Sequence, residues 1–291
     1  MYLMDIVTIN EVGPRDGLQN IKNILSVDER LKLIRSLEEA GIKLMEIGSF
    51  VSHKAVPAMS DTDVLISKLG NIENYSVLIP NKKGLDKAKI NGVKEICTVL
   101  CVTNSMNQKN INQSVKETLK DLKKIFLETK KNGMRSKCYV SVAFYCPYEG
   151  KVDSCYVEDV IGMLLDYKAD EIVIADTIGA ANPREVKKLL SSLTNNYRDI
   201  NLSCHFHDTR ALGLANVYAS LDAGIKKFDS CIGGLGGCPF APNSSGNLAT
   251  EDLVSMLEMM NIKTGVDLDK LISSRELASE FTRISLKGRM I

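Results

Sequence analysis

The sequence predicts an α/β fold, a (β/α)8 TIM barrel with a C-terminal helical extension. Three observations predict it. Eight short β-rich runs alternate with helix-patterned stretches along 291 residues, the order a parallel barrel requires. No low-complexity linker interrupts the array, and the length suits one large barrel. Polar residues inside the apolar runs gather at their carboxyl ends, where such barrels carry their chemistry. A doubly wound open sheet shares the alternation and is not separated by pattern alone. The chain is read as a single domain, with the barrel to about residue 250 and a helical extension over 251–291.

The first strand is IVTINEVG (6–13), and a helix follows at SVDERLKLIRSLEEAG (26–41). Ser26 is its N-cap candidate, Glu29 sits at the third following position and Gly41 stands at the end. KLMEIGSF (43–50), YSVLIP (75–80), EICTVLCV (95–102), KCYVSVAF (137–144) and EIVIADT (171–177) are the next strands. Their near-continuous apolar character fits strands covered on both faces. NPREVKKLLSSL (182–193) is a helix with Pro183 in its first turn. NLSCHFHD (201–208) and KFDSCIGG (227–234) complete the eight, and the tail beyond Thr250 reads as helical.

Composition narrows the function. The chain is 44% hydrophobic and 25% charged, with a formal net charge of +1 and no basic block. Nucleic-acid binding has little electrostatic support on those terms. No apolar run approaches the ~18 residues of a membrane span, and the N-terminus lacks signal-peptide features, so no membrane partner is expected. The eight cysteines form no CxxC pair, and several lie in apolar runs as small buried hydrophobes. A reducing, cytoplasmic location is expected.

The strand ends carry the candidate site. The chain has three histidines, and two of them, His205 and His207, stand one residue apart in HFHDT. On a strand, residues i and i+2 share a face. Two core imidazoles bonded to backbone carbonyls would be the purely structural explanation, but each needs its own polar partner. Two imidazoles with carboxylate and amide oxygens suit a divalent cation, Mg²⁺ or Mn²⁺, with zinc still open. Strand one ends in EVGPRDGLQN, bringing Arg15, Asp16 and Gln19; Asp16 is the carboxylate candidate, or else a turn former before Gly17. Glu46 lies within the apolar second strand and needs a partner, for which Arg15 is the simplest choice. Asp176 and Thr177 end the sixth strand. GGLGGCPFAPNSSGN (233–247), with Cys238 and Asn247, is a phosphate cradle, a hinged lid or a plain surface loop.

EVGPRDGLQN, EIGSFVS, PNKKG, NQKNINQS, CPYEGKV, ADTIG, HFHDT and GLGGCPFA with SGNLATEDLV closely resemble the 3-hydroxy-3-methylglutaryl-CoA lyase family, of the DRE-TIM metallolyase superfamily. The resemblance runs from about Asn10 to Leu268. It implies a barrel that binds one divalent cation and cleaves the methylglutaryl thioester to acetyl-CoA and acetoacetate. By matching motifs it implies Asp16, His205, His207 and Asn247 as metal ligands. It implies Arg15 at the developing enolate, oriented by Glu46, and Cys238 in proton transfer, with Asp16 and His205 also catalytic. Gln19, Asp176 and Thr177 would line the substrate site, and Asn81, Lys82, Lys83 and Lys109 would meet the CoA. A homodimer is implied by the same analogy. Departures from the family pattern fall at Arg210, Ala211 and Leu212 after HFHDT, at His53 and Ala55, and at Asn243 or Ser244 in the loop. Arg210 is a contact for a second carboxylate or a rim charge. A Claisen synthase or aldolase on this scaffold, condensing acetyl-CoA with a 2-keto acid, is the alternative activity. A metabolite-binding barrel without chemistry is a third, and would need a broken ligand set.

Overall fold

The structure, a computed structural model, describes residues 6–237, 246–286 and 288–289. Eight parallel strands close a barrel: β1 (Thr8–Glu11), β2 (Leu44–Ser49), β3 (Tyr75–Leu78), β4 (Glu95–Cys101), β5 (Arg135–Ser141), β6 (Glu171–Asp176), β7 (Leu202–Phe206) and β8 (Lys227–Ser230). β1 pairs with β8, Thr8 opposite Lys227, so no edge remains. The open-sheet alternative is thereby excluded.

Around it run α1 (Val27–Glu39), α2 (Thr62–Leu69), α3 (Lys82–Ile90), α4 (Asn104–Ile111), α5 (Val115–Lys131), α6 (Ser154–Asp166), α7 (Pro183–Asn196), α8 (Gly213–Asp222), α9 (Thr250–Met259) and α10 (Leu268–Thr282). Capping boxes start three of them: Ser26 with Glu29, Ser114 with Glu117, and Asn182 with Glu185 ahead of Pro183. Each box satisfies amide donors that the first turn leaves bare, worth ~1 kcal/mol per cap. In α5 the buried face is Val115, Leu119, Leu122, Ile125 and Phe126, the spacing of a helix laid on a sheet. α10 packs on α1, where Ser36 and Ser274 hydroxyls meet at 2.6 Å. A two-stranded ribbon, Tyr145–Cys146 with Gly150–Lys151, follows β5.

The apolar core is mostly the layer between strands and helices. Inside the barrel a smaller cluster of Leu78, Cys97, Tyr139 and Val173 shares space with buried polar groups. At the lower end Lys137, only 1% exposed, lies 3.3 Å from Glu95 and 3.9 Å from Glu171, and Lys227 bonds Glu171 at 2.6 Å. The carboxyl end is left for chemistry.

Among the strands that stop earlier than their apolar runs, β1 and β8 end in turns that shape the barrel mouth. After Glu11 the chain winds into one wide helical turn, Gly13–Gly17, and the Val12 carbonyl accepts the N–H groups of Arg15, Asp16 and Gly17. Pro14 has no N–H to continue a ladder. After Ser230 the chain turns at Ile232–Gly234, with Gly233 and Gly234 at φ +62° and +64°.

Candidate active site

The wide turn after β1 lifts Arg15 and Asp16 into the barrel mouth. Arg15 Nε donates to Glu46 Oε1 and its Nη1 to Asp16 Oδ1. The guanidinium is therefore held between two carboxylates, one from the turn and one from β2. Glu46 is fully buried, and the Tyr139 hydroxyl lies 2.8 Å from its second oxygen. The same hydroxyl lies 2.8 Å from Asp229 Oδ2. Asp229 also accepts from Asn10 Nδ2 at 2.8 Å and faces His205 Nδ1 at 3.2 Å. One buried polar chain thus runs Asp16, Arg15, Glu46, Tyr139, Asp229, His205 across the barrel.

His205 sits in β7, and His207 just beyond it, bridged antiparallel to Asn247. Asp208 N–H to Gly246 O (3.1 Å) and Leu248 N–H to Phe206 O (3.1 Å) flank that bridge. Asn247 Nδ2 donates to Asp16 Oδ2 at 2.8 Å and to Leu235 O at 3.0 Å. Gln19 Nε2 donates to Asp16 Oδ1 at 3.0 Å. Glycines allow this close backbone packing: a Cβ on Gly236, at φ +101°, would stand 2.7 Å from Asn247 Nδ2. One on Gly246, at φ +92°, would stand 2.3 Å from Gly234 O.

Ligand atoms of Asp16, His205 and His207 all lie within 4.8 Å of one another. Two buried acceptors in this corner lack a hydrogen-bond partner among the described residues: His207 Nδ1 and Asn247 Oδ1. Unmade buried polar atoms cost ~1–3 kcal/mol each, and a cation would engage them. The donor set, imidazole nitrogens with carboxylate and amide oxygens, fits a divalent ion. The protonation states of Asp16 and His207 agree. Burial raises the Asp16 carboxyl, but Arg15, His205, the Asn247 hydrogen bond and His207 outweigh it and hold it at about 2. Burial and the neighbouring His205 push His207 down to about 4, so its ring is neutral at pH 7. Burial alone would lower His205, but the Asp229 hydrogen bond and charge, with Asp16, raise it. Nδ1–H donation to Asp229 leaves Nε2 free to ligate.

The cavity over this corner holds about 190 Å³ and is lined by Arg15, Asp16, Gln19, Tyr139, Thr177 and both histidines, among others. It adjoins a larger, more apolar crevice of about 730 Å³, with which it shares Gln19, Leu78, Val99 and Asn110. Asn81, Lys82 and Ala55 line the crevice.

Several expected site residues sit elsewhere. Asp176 does not line the cavity; its oxygens accept the Ala180 and Ala181 N–H groups at 2.9 Å each. Its carboxylate ties down the loop after β6. Thr177 does line the cavity, while its oxygen accepts from Val142 N–H at 2.8 Å. Val142 has φ +53°, a costly conformation for a β-branched residue, and this bond helps hold it. Asn81 caps α3 through Gly84 N–H at 3.2 Å. Lys82 pairs with Asp86 and Glu128, whereas Lys83 and Lys109 are exposed and line neither cavity. Arg210 donates to Ile178 O and Gly179 O at 3.0 and 2.9 Å, which makes it a loop tie. Leu212 is half-buried, Ala211 adopts φ +56°, and His53 is exposed. Cys238, Asn243 and Ser244 lie outside the described residues.

Tyr139, Asp229 and Asn10 escaped the sequence reading. Asp229 carried a usable signal, being a carboxylate in an apolar strand like Glu46. Tyr139 carried none, because tyrosine is an ordinary strand residue.

Comparison with known proteins places similar chains in one family. The HMGL-like family matches residues 6–278. The hydroxymethylglutaryl-CoA lyase of Bacillus subtilis is 41% identical over 279 residues, covering 94% of this chain and 92% of that protein. The (R)-citramalyl-CoA lyase of Chloroflexus aurantiacus is 35% identical over 288 residues, 95% of this chain and 91% of that one. An HMG-CoA lyase structure from Acinetobacter baumannii, in complex with coenzyme A and 3-methylmalate, superposes with a TM-score of 0.94 at 34% identity, covering 100% of this chain and 95% of that one.

Proposed function

The chain belongs to the HMGL-like family, and from that premise we propose that it is a carbon–carbon lyase cleaving 3-hydroxy-3-methylglutaryl-CoA to acetyl-CoA and acetoacetate. The observation that carries the reading is the polar corner of the cavity. Two acceptors without a partner among the described residues, His207 Nδ1 and Asn247 Oδ1, stand with Asp16 and His205 beside the Arg15 guanidinium.

Cleavage takes the proton from a tertiary hydroxyl, breaks the C2–C3 bond and leaves an acetyl thioester enolate that must regain a proton at C2. Asp16, His205, His207 and Asn247 would hold a divalent cation, Mg²⁺ or Mn²⁺, which when bound acidifies the hydroxyl and orients the acid arm. Arg15 meets the charge that grows on the thioester oxygen. Its Nε and Nη1 are spent on Glu46 and Asp16, so the guanidinium plane is fixed before substrate arrives. Asp16 and His205 stand on the hydroxyl side. Cys238 is assigned to the carbanion side by motif alone. Gln19 and Thr177 line the acyl pocket, and the crevice at Asn81 and Lys82 has room for the pantetheine arm.

Citramalyl-CoA is the second substrate to weigh, because one relative is named for it. Its acid arm is one methylene shorter and its reaction is otherwise the same. The reading treats 1–291 as one catalytic domain with a helical extension after about residue 250, forming a cytoplasmic homodimer. No described helix is long and apolar enough to cross a membrane.

The test is a panel of 3-hydroxyacyl thioesters assayed for acetyl-CoA release with Mg²⁺, with Mn²⁺ and with chelator. Methylglutaryl-CoA should be cleaved at least ~10-fold faster than citramalyl-CoA, the discrimination one methylene can supply. The reverse order would reassign the substrate. Cleavage unaffected by chelation would remove the cation from the reading.

A further inference from the structure

Arg30 lies on α1 inside the wall between that helix and β2, only 2% exposed. No ion pair among the described residues includes it. Its Nη2 donates to the Ile47 carbonyl at 2.7 Å and lies 3.5 Å from Met59 Sδ, Nη1 reaches Ala58 O at 3.5 Å, and Nε has no hydrogen-bond partner among the described residues. A guanidinium kept in a dry wall with one N–H unmade costs folding free energy. A methionine would fill much of the same space without that cost. The charge therefore needs a reason.

Ile47 is where the β2–β3 ladder breaks register. Glu46 pairs with Ser76 and Gly48 with Val77, so Ile47 is an additional residue, a β-bulge. The ladder resumes with Ser49 opposite Leu78. Two helices grip the irregularity. From α1, Arg30 takes the bulged carbonyl. From α2, Thr62 Oγ1 accepts Ser49 N–H at 3.2 Å and occupies the place where a Gly48 Cβ would be, 2.6 Å away. The last residue in register before the bulge is Glu46, which holds Arg15 on one oxygen and Tyr139 on the other.

We infer that Arg30 is a positioning residue for the lyase reaction: its hydrogen bond to the bulged Ile47 carbonyl holds β2 in the register that presents Glu46 to Arg15. The catalytic half rests on the reading that Arg15 meets the thioester oxygen. Bulges beside active sites commonly re-aim a side chain. Here the device sits behind the sheet, out of reach of substrate.

The test has two arms. In the first, backbone amide exchange is compared between wild type and Arg30→Met in the full chain. Exchange over residues 46–49 should rise at least ~10-fold while the other strands stay put, since a local support has been removed. Unchanged exchange there overturns the inference whatever the substrate is. In the second, kcat and KM for methylglutaryl-CoA with Mg²⁺ are measured for Arg30→Met, Arg30→Lys, Glu46→Gln and the double variant Arg30→Met/Glu46→Gln. Arg30→Met should lower kcat ~10-fold with KM within ~2-fold, Arg30→Lys should recover most of it, and Arg30→Met should cost under ~2-fold once Glu46 is already Gln. Equal losses in both backgrounds, or a loss confined to KM, overturn the inference. If Arg30→Met does not fold, Arg30→Gln, which keeps an amide donor, replaces it in both arms. A wild type that cleaves no thioester defeats the functional reading, and the exchange arm still decides the role of Arg30 at the bulge.

Discussion

Nδ1 of His205 faces Oδ2 of Asp229 across 3.2 Å at the centre of the barrel. That contact fixes the imidazole tautomer and turns Nε2 to the cation corner. Partners of this kind raise ligand basicity, and their loss typically costs 10–100-fold in metal affinity. Asp229→Asn keeps the shape and removes the charge. Mn²⁺ titration followed by electron paramagnetic resonance should show its affinity falling by roughly 10-fold or more. Affinity equal to wild type would mean that Asp229 only fills space.

Arg15 stands between Glu46 and Asp16 with its plane set by both. Losing it should remove a stabilisation that exists only as the enolate charge develops. Arg15→Gln should lower kcat by ~10²-fold or more, about 3 kcal/mol of barrier, with a smaller change in KM. Steady-state kinetics checks this. Arg15→Lys should recover little, because an ammonium cannot keep two carboxylates and still present a planar donor pair.

Much of the fold was legible and part of the site was not, for separate reasons. All eight barrel strands declare themselves as apolar runs because each is covered on both faces. Their ends do not. Val12 and Ile232 are apolar residues that lie in turns, so hydrophobicity runs past the ladder. The histidine pair and Asp16 were legible from strand periodicity and the barrel rule together. Asp176 met the same rule at a strand end, yet its oxygens are taken by the backbone of the following loop. Which acceptor turns outward depends on loop path, which residue type does not encode. Tyr139 is visible only in three dimensions, because its meaning comes from two carboxylates 93 and 90 positions away.

His207 Nδ1 and Asn247 Oδ1, without a partner among the described residues, make cation binding a stability question as well as a catalytic one. An ion that binds only the native state stabilises by about 2.7 kcal/mol at 100 times its Kd. For a chain of this size that should raise Tm by about 4 °C. Differential scanning calorimetry with and without saturating Mn²⁺ measures it. In His207→Ala the increment should largely vanish while the metal-free Tm changes much less. An equal increment in that variant would place the ion elsewhere.

Glu11 gives the chain a pH dependence apart from catalysis. It is fully buried under the turn after β8, accepting from Gly13 N–H at 2.7 Å, Ile232 N–H at 2.9 Å and the Thr250 hydroxyl at 2.6 Å. Those bonds favour the carboxylate, but burial is the larger influence and pushes the group up from 4.5 to about 7. The native state thus holds a proton that the unfolded chain releases near pH 4.5. The stabilisation is fully present below pH 4.5 and lost as pH rises through 7, amounting to about 3 kcal/mol across that window. Glu11→Gln keeps a neutral side chain of the same length, whose amide can donate to Thr250 while its oxygen accepts the two backbone N–H groups. Urea unfolding at pH 5 and pH 8 should show the variant gaining on wild type by roughly that amount as pH increases. A constant difference between the two proteins at both pH values would mean that Glu11 is charged throughout.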